Sequence, residues 1–317
     1  MRQPSLVPPR LPVPTAAPIL AFGPFEMEAP GRPVPMELRV TIPEVGDFLP
    51  VLLFSHGHGA SHYLSSVRGY APLAEFWAAH GFAVIQVTHL DSATLALDPT
   101  GPEGALFWRS RAKDISGLID RLDEIAARVP SLAGRLDTGR IAVVGHSLGG
   151  QTVTLLCGAR MTDVHSGEII DMTEPRLGAA IAIAPPGDGR DLADWATTRY
   201  PELKGIDFST MRLPALVLIG DRDVSAGFSA RPDWRADAYA LAPAPKTLAT
   251  IFGAEHIFGG ISGWDTKETS DEDPARLAEI QRLTWAYLRS ALYPEDGAWE
   301  VVAQDIAERE IGRIDRK

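Results

Sequence analysis

Short apolar runs separated by polar, glycine-containing segments recur along the chain and predict the strands of a largely buried sheet. Met36–Ile42 alternates apolar and polar residues, a pattern typical of a strand with one face in water. Val51–Phe54 is a short, continuously apolar run, as expected for a strand covered on both faces of a parallel sheet. Further strands are predicted over Phe82–Val87, Ile141–Val144, Ala179–Ala184, Ala215–Ile219 and Thr247–Phe252.

Helical periodicity fills the intervals between these runs. From Arg109 to Val129 apolar residues recur at helical spacing on one face, with charged residues opposite. Further helices are predicted over Leu73–His80, Gln151–Cys157, 191–200 and 275–291, and the amphipathic stretch 293–317 is predicted to dock as a terminal helix. Strands that alternate with helices predict an α/β fold, with a mostly parallel sheet flanked by helices on both faces.

The predicted organisation is a proline-rich arm over residues 1–35 followed by a single domain over residues 36–317. Closely spaced prolines favour an extended, polyproline-like arm on the surface. Segments 159–178 and 186–213 are the places where a small lid could form, and the sequence leaves open whether either does.

The composition of the chain indicates which classes of partner and which cellular location to expect. The chain has 317 residues with a formal net charge of −11, which argues against nucleic acid or an anionic membrane as a partner. Its single cysteine, Cys157, excludes an internal disulfide and is expected to be buried. Prolines interrupt the N-terminal apolar residues, so no secretory signal is seen and a cytoplasmic location is expected, with a secreted form whose leader was removed left open. The oligomeric state is not readable.

Residues 141–150, Ile-Ala-Val-Val-Gly-His-Ser-Leu-Gly-Gly, contain the pattern Gly-x-Ser-x-Gly between a predicted strand and a predicted helix. That context is typical of a nucleophile elbow, a sharp turn that exposes the serine hydroxyl above the sheet. Ser147 is therefore the candidate nucleophile. It also lies at a helix N-terminus, where unpaired N–H groups favour developing negative charge.

A serine nucleophile needs a base and an acid that orients the base. In hydrolases built on this elbow the chain order is serine, acid, histidine. Two histidines follow Ser147, and His256 is the candidate base because it comes in a glycine-flanked loop after the last predicted strand, whereas His165 lies too close behind the elbow helix. Asp223 is the preferred acid, and Asp221 and Asp188 remain alternatives.

Two backbone N–H groups are needed to stabilise the oxyanion. Leu148, directly after the nucleophile, is one predicted donor, and His58 in the loop Ser-His-Gly-His-Gly-Ala (55–60) is the other. The same loop carries the pattern His-x-His-x-x-x-His at His56, His58 and His62. A zinc site would need further ligands nearby, and none follows in the loop, so no metal is expected.

Six residues are candidates for contact with the substrate. Gly57 and His146 adjoin the predicted donor and nucleophile, although His146 is expected to pack beneath the elbow. Large aromatic residues near predicted strand ends could line an apolar site: Phe107, Trp108, Phe258 and Trp264.

Taken together, these motifs resemble the α/β-hydrolase-fold serine esterases, in particular the group of platelet-activating-factor acetylhydrolases, chlorophyllases and cutinase-like polyester hydrolases. The resemblance runs from about residue 36 to residue 292. The residues that carry it are Phe-Ser-His-Gly-His-Gly (54–59), Ala-Ala-His-Gly-Phe-Ala-Val-Ile (78–85), Val-Thr-His-Leu-Asp-Ser (87–92) and 140–150.

The resemblance implies hydrolysis of a carboxylic ester through an acyl-enzyme, without a cofactor and on a small-molecule or polymeric ester. In one respect the chain departs from the acetylhydrolases, which place the triad acid after the strand equivalent to 179–184, where this chain reads Ala-Pro-Pro. The segment Gly-Asp-Arg-Asp-Val-Ser-Ala (220–226) is instead similar to the acid-bearing turn of cutinase-like and dienelactone-hydrolase-like enzymes, which supports Asp223.

Alternatives to ester hydrolysis stay open at this stage. The same three residues could serve amide or lactone cleavage, or acyl transfer to an alcohol. A metal-dependent hydrolase using the His-x-His loop and a non-catalytic binding protein are less favoured. Which ester would be cleaved is not readable.

Overall fold

A large central sheet organises the fold. The computed structural model describes residues 13–263 and 271–317, and within them nine strands form one sheet. In chain order they are β1 (Ile19–Met27), β2 (Met36–Pro43), β3 (Leu49–Ser55), β4 (Ala83–Thr88), β5 (Leu136–His146), β8 (Leu177–Ile183), β10 (Ala215–Gly220), β11 (Lys246–Ile251) and β12 (Gly312–Arg316). A small second sheet supplies β6 (Arg160–Thr162), β7 (Ile169–Asp171) and β9 (Ile206–Asp207).

Strand order in the large sheet is β1-β2-β4-β3-β5-β8-β10-β11-β12. The run from β4 to β11 is parallel, whereas β1, β2 and β12 pair antiparallel with their neighbours. Because the inner strands are parallel, their carboxyl ends share one edge of the sheet, and functional residues of open α/β sheets collect at that edge.

Helices cover both faces of the sheet. Their bounds are α1 (Ala71–Ala79), α2 (Trp108–Asp120), α3 (Leu122–Arg128), α4 (Leu148–Leu156), α5 (Asp194–Arg199), α6 (Asp237–Ala240), α7 (Pro274–Leu292) and α8 (Ala298–Glu308). Alternate residues of one strand serve opposite faces: Val51 and Leu53 of β3 pack with α2, α3 and α4, whereas Leu52 and Phe54 pack with α1 and α7. This two-sided burial explains the continuously apolar run Val51–Phe54.

Two edge strands differ from the sequence prediction. Ile19–Met27, within the segment predicted as a polyproline-like arm, forms β1 beside β2. The 293–317 stretch forms α8 as predicted, but its end forms β12 beside β11. Both strands have partly or largely exposed residues, so their sequences lack the apolar run that marks an inner strand.

The predicted helix over Arg109–Val129 is divided in two. α2 ends at Asp120, and the N–H of Arg121 bonds the carbonyl of Leu118 rather than continuing the α-helical pattern. α3 then begins at Leu122. Both pieces keep their apolar residues on the sheet, so the predicted buried face is retained.

Segments 159–178 and 186–213 are linked by the small sheet, in which β6 pairs with both β7 and β9. None of the helices in the described residues is long and apolar enough to cross a membrane. The cytoplasmic location and the single-domain organisation both stay predictions.

Candidate active site

Ser147 lies at the turn between β5 and α4, in a backbone conformation that is costly for a residue with a side chain. Its φ is 56° and its ψ is −118°. The N–H of Ser147 donates to the carbonyl of Ile183 at 2.8 Å, which ties the turn to the neighbouring strand β8. A Cβ atom at Gly145 would lie 2.1 Å from the carbonyl oxygen of Gly149, so this close strand–helix approach requires glycine.

Three side chains from separate loops form one hydrogen-bonded series. The Oγ atom of Ser147 lies 3.0 Å from Nε2 of His256, and Nδ1 of His256 lies 2.8 Å from Oδ2 of Asp223. A carboxylate can only accept, so Nδ1 carries the proton and Nε2 is free to accept from the serine hydroxyl. The loops follow β5, β10 and β11, whose carboxyl ends share one edge of the sheet.

Arg235 supplies a cation to the same carboxylate. Its Nε atom lies 2.7 Å from Oδ2 of Asp223, and its Nη1 donates to the carbonyl of Ala184 at 2.8 Å. Burial alone would raise the pKa of Asp223, but His256 and Arg235 outweigh burial and hold that pKa at about 2. Asp223 is therefore an anion at neutral pH.

The pKa of His256 is lowered from its ordinary value. Burial is the main cause and the charge of Arg235 adds to it, while the contact with Asp223 opposes both. The imidazole is consequently neutral at neutral pH, as a proton acceptor must be.

The alternative acids have other partners, and the alternative base lies at the surface. Oδ1 of Asp221 accepts the N–H of Gly253 at 2.6 Å. Asp188 pairs with Arg190 through both of its oxygens. His165 is exposed.

The loop after β3 passes beside the elbow. The N–H of Gly57 donates to the Tyr70 hydroxyl at 3.0 Å, so this group is already used. The next N–H in the loop, that of His58, has no acceptor within the described residues. Leu148 begins α4, where the first N–H groups have no intrahelical acceptor.

His146 is fully buried beneath the elbow rather than facing a cavity. Its Nε2 donates to the carbonyl of His256 at 2.8 Å, which leaves Nδ1 to accept from the hydroxyl of Tyr70 at 2.9 Å. Since that hydroxyl accepts the N–H of Gly57, His146 and Tyr70 join the two loops on either side of Ser147. Gly57 and His146 are not part of the cavity wall, so the prediction that they contact substrate gives way to this supporting role.

Two imidazoles of the His-x-His loop, those of His56 and His58, have separate protein partners. His56 bonds the carbonyl of Gly57 and the N–H of His89. Nδ1 of His58 pairs with Asp91 at 2.9 Å. His62 is exposed. Within residues 13–263 and 271–317, no group of three or more histidine, cysteine or acidic side chains is arranged to hold a metal ion.

A cavity of about 360 Å³ opens over Ser147 and His256. Its polar wall includes His58, Asp223 and Arg235. The remaining wall is mainly apolar, formed by Leu106, Leu148, Pro186, Tyr200, Leu203, Val224, Phe228 and Trp234. The Tyr200 and Phe228 rings are stacked with centroids 5.9 Å apart and an interplanar angle of 3°.

The predicted aromatic lining does not coincide with this wall. Trp108 and Phe258 are buried in the two main apolar clusters on either face of the sheet. Phe107 precedes α2 and is absent from the cavity wall, and Trp264 lies outside the described residues. The aromatic wall comes instead from Tyr200, Phe228 and Trp234, which lie in connections between strands of the large sheet and belong to no motif.

Fold and site together define an α/β-hydrolase. Residues 52–311 match the family model described as the alpha/beta hydrolase family, and the chain belongs to that family. Over the fold alone, the chain resembles a protein from Klebsiella pneumoniae subsp. pneumoniae that was assigned as a dienelactone hydrolase. The TM-score is 0.50 at 16% identity, covering 86% of this chain and 98% of that one.

Two groups of relatives agree with the resemblance seen in the sequence. Platelet-activating factor acetylhydrolase from Cavia porcellus is 28% identical over 144 residues, which cover 35% of this chain and 32% of that protein. Cutinase 2 from Thermobifida cellulosilytica is 27% identical over 197 residues, and cutinase cut1 from Thermobifida fusca is likewise 27% identical. This chain spans 57% and 47% of the two cutinases, so it covers less than two thirds of each of these relatives.

Proposed function

We propose that the protein hydrolyses carboxylic esters through an acyl-enzyme formed on Ser147. The observation that carries this proposal is the series Ser147–His256–Asp223, with its serine on a strained elbow under an apolar cavity. Relatives named cutinase and acetylhydrolase favour an ester as the substrate.

In the first half-reaction Ser147 Oγ bonds the ester carbonyl carbon, and its proton passes to Nε2 of His256. The N–H groups of His58 and Leu148 stabilise the oxyanion. Collapse of the tetrahedral intermediate breaks the carbon–oxygen bond to the alcohol, which leaves with the proton held by His256. Asp223 keeps the imidazole in the required tautomer and stabilises its cation.

Water repeats the sequence in the second half-reaction. The water oxygen bonds the acyl carbon while His256 takes one proton from the water. The bond between the acyl carbon and Ser147 Oγ then breaks, and His256 returns the proton to Oγ. The products are a carboxylic acid and an alcohol. The chain's own side chains and backbone N–H groups, together with water, supply every group that these steps require.

Labelling with a fluorophosphonate probe tests the proposal. Wild type is expected to be labelled at Ser147, and Ser147→Ala is expected to lose both the label and about 10⁴-fold or more of its kcat on p-nitrophenyl esters. An unlabelled but folded wild type would refute the proposal. Activity that disappears on addition of a chelator would favour a metal-dependent hydrolase instead.

A panel of substrates would identify which ester the protein cleaves. A p-nitrophenyl series of increasing acyl length, run beside phthalate, polyester and phospholipid substrates, separates small-molecule from polymeric specificity. Matched amides, lactones and acceptor alcohols separate hydrolysis of esters from the other reactions that the same three side chains could serve.

A further inference from the structure

The two proposed oxyanion donors belong to different parts of the chain, yet stabilisation of an oxyanion requires a fixed position for both. His58 lies in the loop after β3, and Leu148 begins α4. Arg111 of α2 has contacts with both the loop after β3 and α4, and its side chain is fully buried. A buried guanidinium is costly unless its N–H groups are paired, so its partners show what it holds.

On the loop side, Arg111 reaches His58 through one intermediate. Its Nη1 pairs with Oδ1 of Asp91, and Oδ2 of Asp91 accepts from Nδ1 of His58 at 2.9 Å. Nη2 of Arg111 also donates to the carbonyl of His56 and lies 3.3 Å from Oγ of Ser55. The guanidinium therefore contacts Ser55 and His56 directly, and it reaches His58, on the other side of Gly57, through Asp91.

The charge on Asp91 supports this arrangement. Burial alone would raise the pKa of Asp91, but Arg111 and the hydrogen bond from His58 outweigh it and hold the pKa below the usual range. Asp91 is consequently an anion that can accept from both Arg111 and His58.

On the helix side, Arg111 again acts through one intermediate. Its Nε donates to Oγ1 of Thr152 at 3.1 Å, and that hydroxyl donates to the carbonyl of Leu148 at 3.2 Å. Loop and helix also touch directly, because a Cβ atom at Gly149 would lie 2.0 Å from the carbonyl oxygen of Ser55.

We propose that Arg111 is a positioning residue for the oxyanion hole. Through Asp91 it fixes His58, and through Thr152 it fixes Leu148, so that a single planar group sets the spacing of the two N–H donors. This inference rests on the proposed function. Arg111 is not part of the cavity wall, so it acts through these residues and not on the substrate.

Arg111→Lys is the main test, because lysine keeps the charge but cannot offer a planar fork to partners in several directions. We expect kcat to fall by about 10²–10³-fold, the range seen when one oxyanion donor is lost. A boronic acid that mimics the tetrahedral intermediate should bind more weakly by the same factor as kcat/KM falls. The Kd of an ether analogue of the substrate should not change, because no oxyanion forms on it.

Two further variants measure how much of the loss of kcat comes from each side of Arg111. Thr152→Val removes the helix-side link, and Asp91→Asn weakens the loop-side link. Each should lose part of the kcat that Arg111→Lys loses. The double variant Arg111→Lys/Thr152→Val should be close to Arg111→Lys alone, since residues that share one network are not additive.

Arg282→Met is the matched control. Arg282 of α7 is also largely buried and pairs with Glu279 and Asp305, but it lies in the α7–α8 layer. This variant should lower Tm without changing kcat or the affinity for the boronic acid.

A folded Arg111→Lys with wild-type kcat would overturn the inference, as would an equal loss of affinity for the ether analogue. If Arg111→Lys does not fold, a Thr152→Val variant with wild-type kcat and boronic acid affinity would overturn it. These results differ from failure of the proposed function, in which wild type itself is neither labelled by the fluorophosphonate nor active on esters.

Discussion

Arg235 Nε lies 2.7 Å from Asp223 Oδ2, the same oxygen that holds His256 in place. The acid of the proposed series is thus shared between the base and a permanent cation. Because the guanidinium stays charged at every accessible pH, it affects the titration of its neighbours throughout the working range.

Replacing Arg235 is expected to move the pH dependence of kcat/KM. The charge of Arg235 lowers the pKa of His256, so its removal in Arg235→Met raises that pKa. The proposed reaction requires neutral His256, and the acid limb of the pH profile should therefore shift to higher pH. Arg231→Met is the control, because Arg231 pairs with Asp191 and Asp237 instead. An acid limb that stays in place or moves to lower pH contradicts this role.

Three aspartate variants distinguish the candidate acids. Asp223→Asn is expected to reduce kcat by about 10⁴-fold, because an amide favours the wrong imidazole tautomer. Asp221→Asn and Asp188→Asn should leave kcat near that of wild type, since these carboxylates bind Gly253 and Arg190 instead. Steady-state kinetics on one p-nitrophenyl ester suffices. Equal losses in all three variants would refute the assignment of Asp223.

Tyr70→Phe tests the connection beneath the elbow. Loss of the hydroxyl leaves the N–H of Gly57 and Nδ1 of His146 without this partner. An unsatisfied buried polar group costs on the order of 1–3 kcal/mol in the free energy of unfolding. We expect a lower denaturation midpoint and a lower kcat. Tyr239→Phe is the control, since the Tyr239 ring contacts Lys317 away from the elbow. Wild-type kcat in Tyr70→Phe would show that the connection does not position the site.

Phe228→Ala is expected to change the preferred chain length. The ring forms part of the cavity wall and stacks on Tyr200, so its removal enlarges the cavity. kcat/KM for longer p-nitrophenyl esters should rise relative to that for the acetate. Trp195→Ala is the control: this indole contacts Phe228 edge-to-face with centroids 5.5 Å apart, but it is 55% exposed and is not part of the cavity wall. An unchanged chain-length profile in Phe228→Ala would mean that acyl groups bind elsewhere.

The inner strands could be predicted from the sequence because their burial is two-sided. β3 and β5 are apolar over consecutive residues where they cross the core, and this pattern fixes the position of the elbow. The outer strands β1 and β12 contain exposed residues and, in β1, a proline, so only the pairing partner reveals them.

Some charged groups of the candidate site could be predicted from the sequence and others could not. His256 and Asp223 could be predicted because they follow strands in the chain order that the elbow requires. Arg111 could not, since an arginine in an amphipathic helix ordinarily faces water, and the partners that bury it are distant in sequence. Trp108 and Phe258 illustrate the converse, because an aromatic residue near a strand end packs equally well in the core or against a cavity.

The three-stranded sheet of β7, β6 and β9 has a consequence for altering this protein. Tyr200 and Leu203 shape the cavity from segment 186–213, and β9, which follows them, pairs with β6 rather than with the strands that carry Ser147, Asp223 and His256. A substitute segment would need to preserve β9 and the Tyr200 hydroxyl, which lies 3.3 Å from Nε2 of His58. Leu203 and the rest of this part of the wall can then vary apart from the strands that carry the reacting groups, whereas Val224, Phe228 and Trp234 share the β10–β11 connection with Asp223 and cannot.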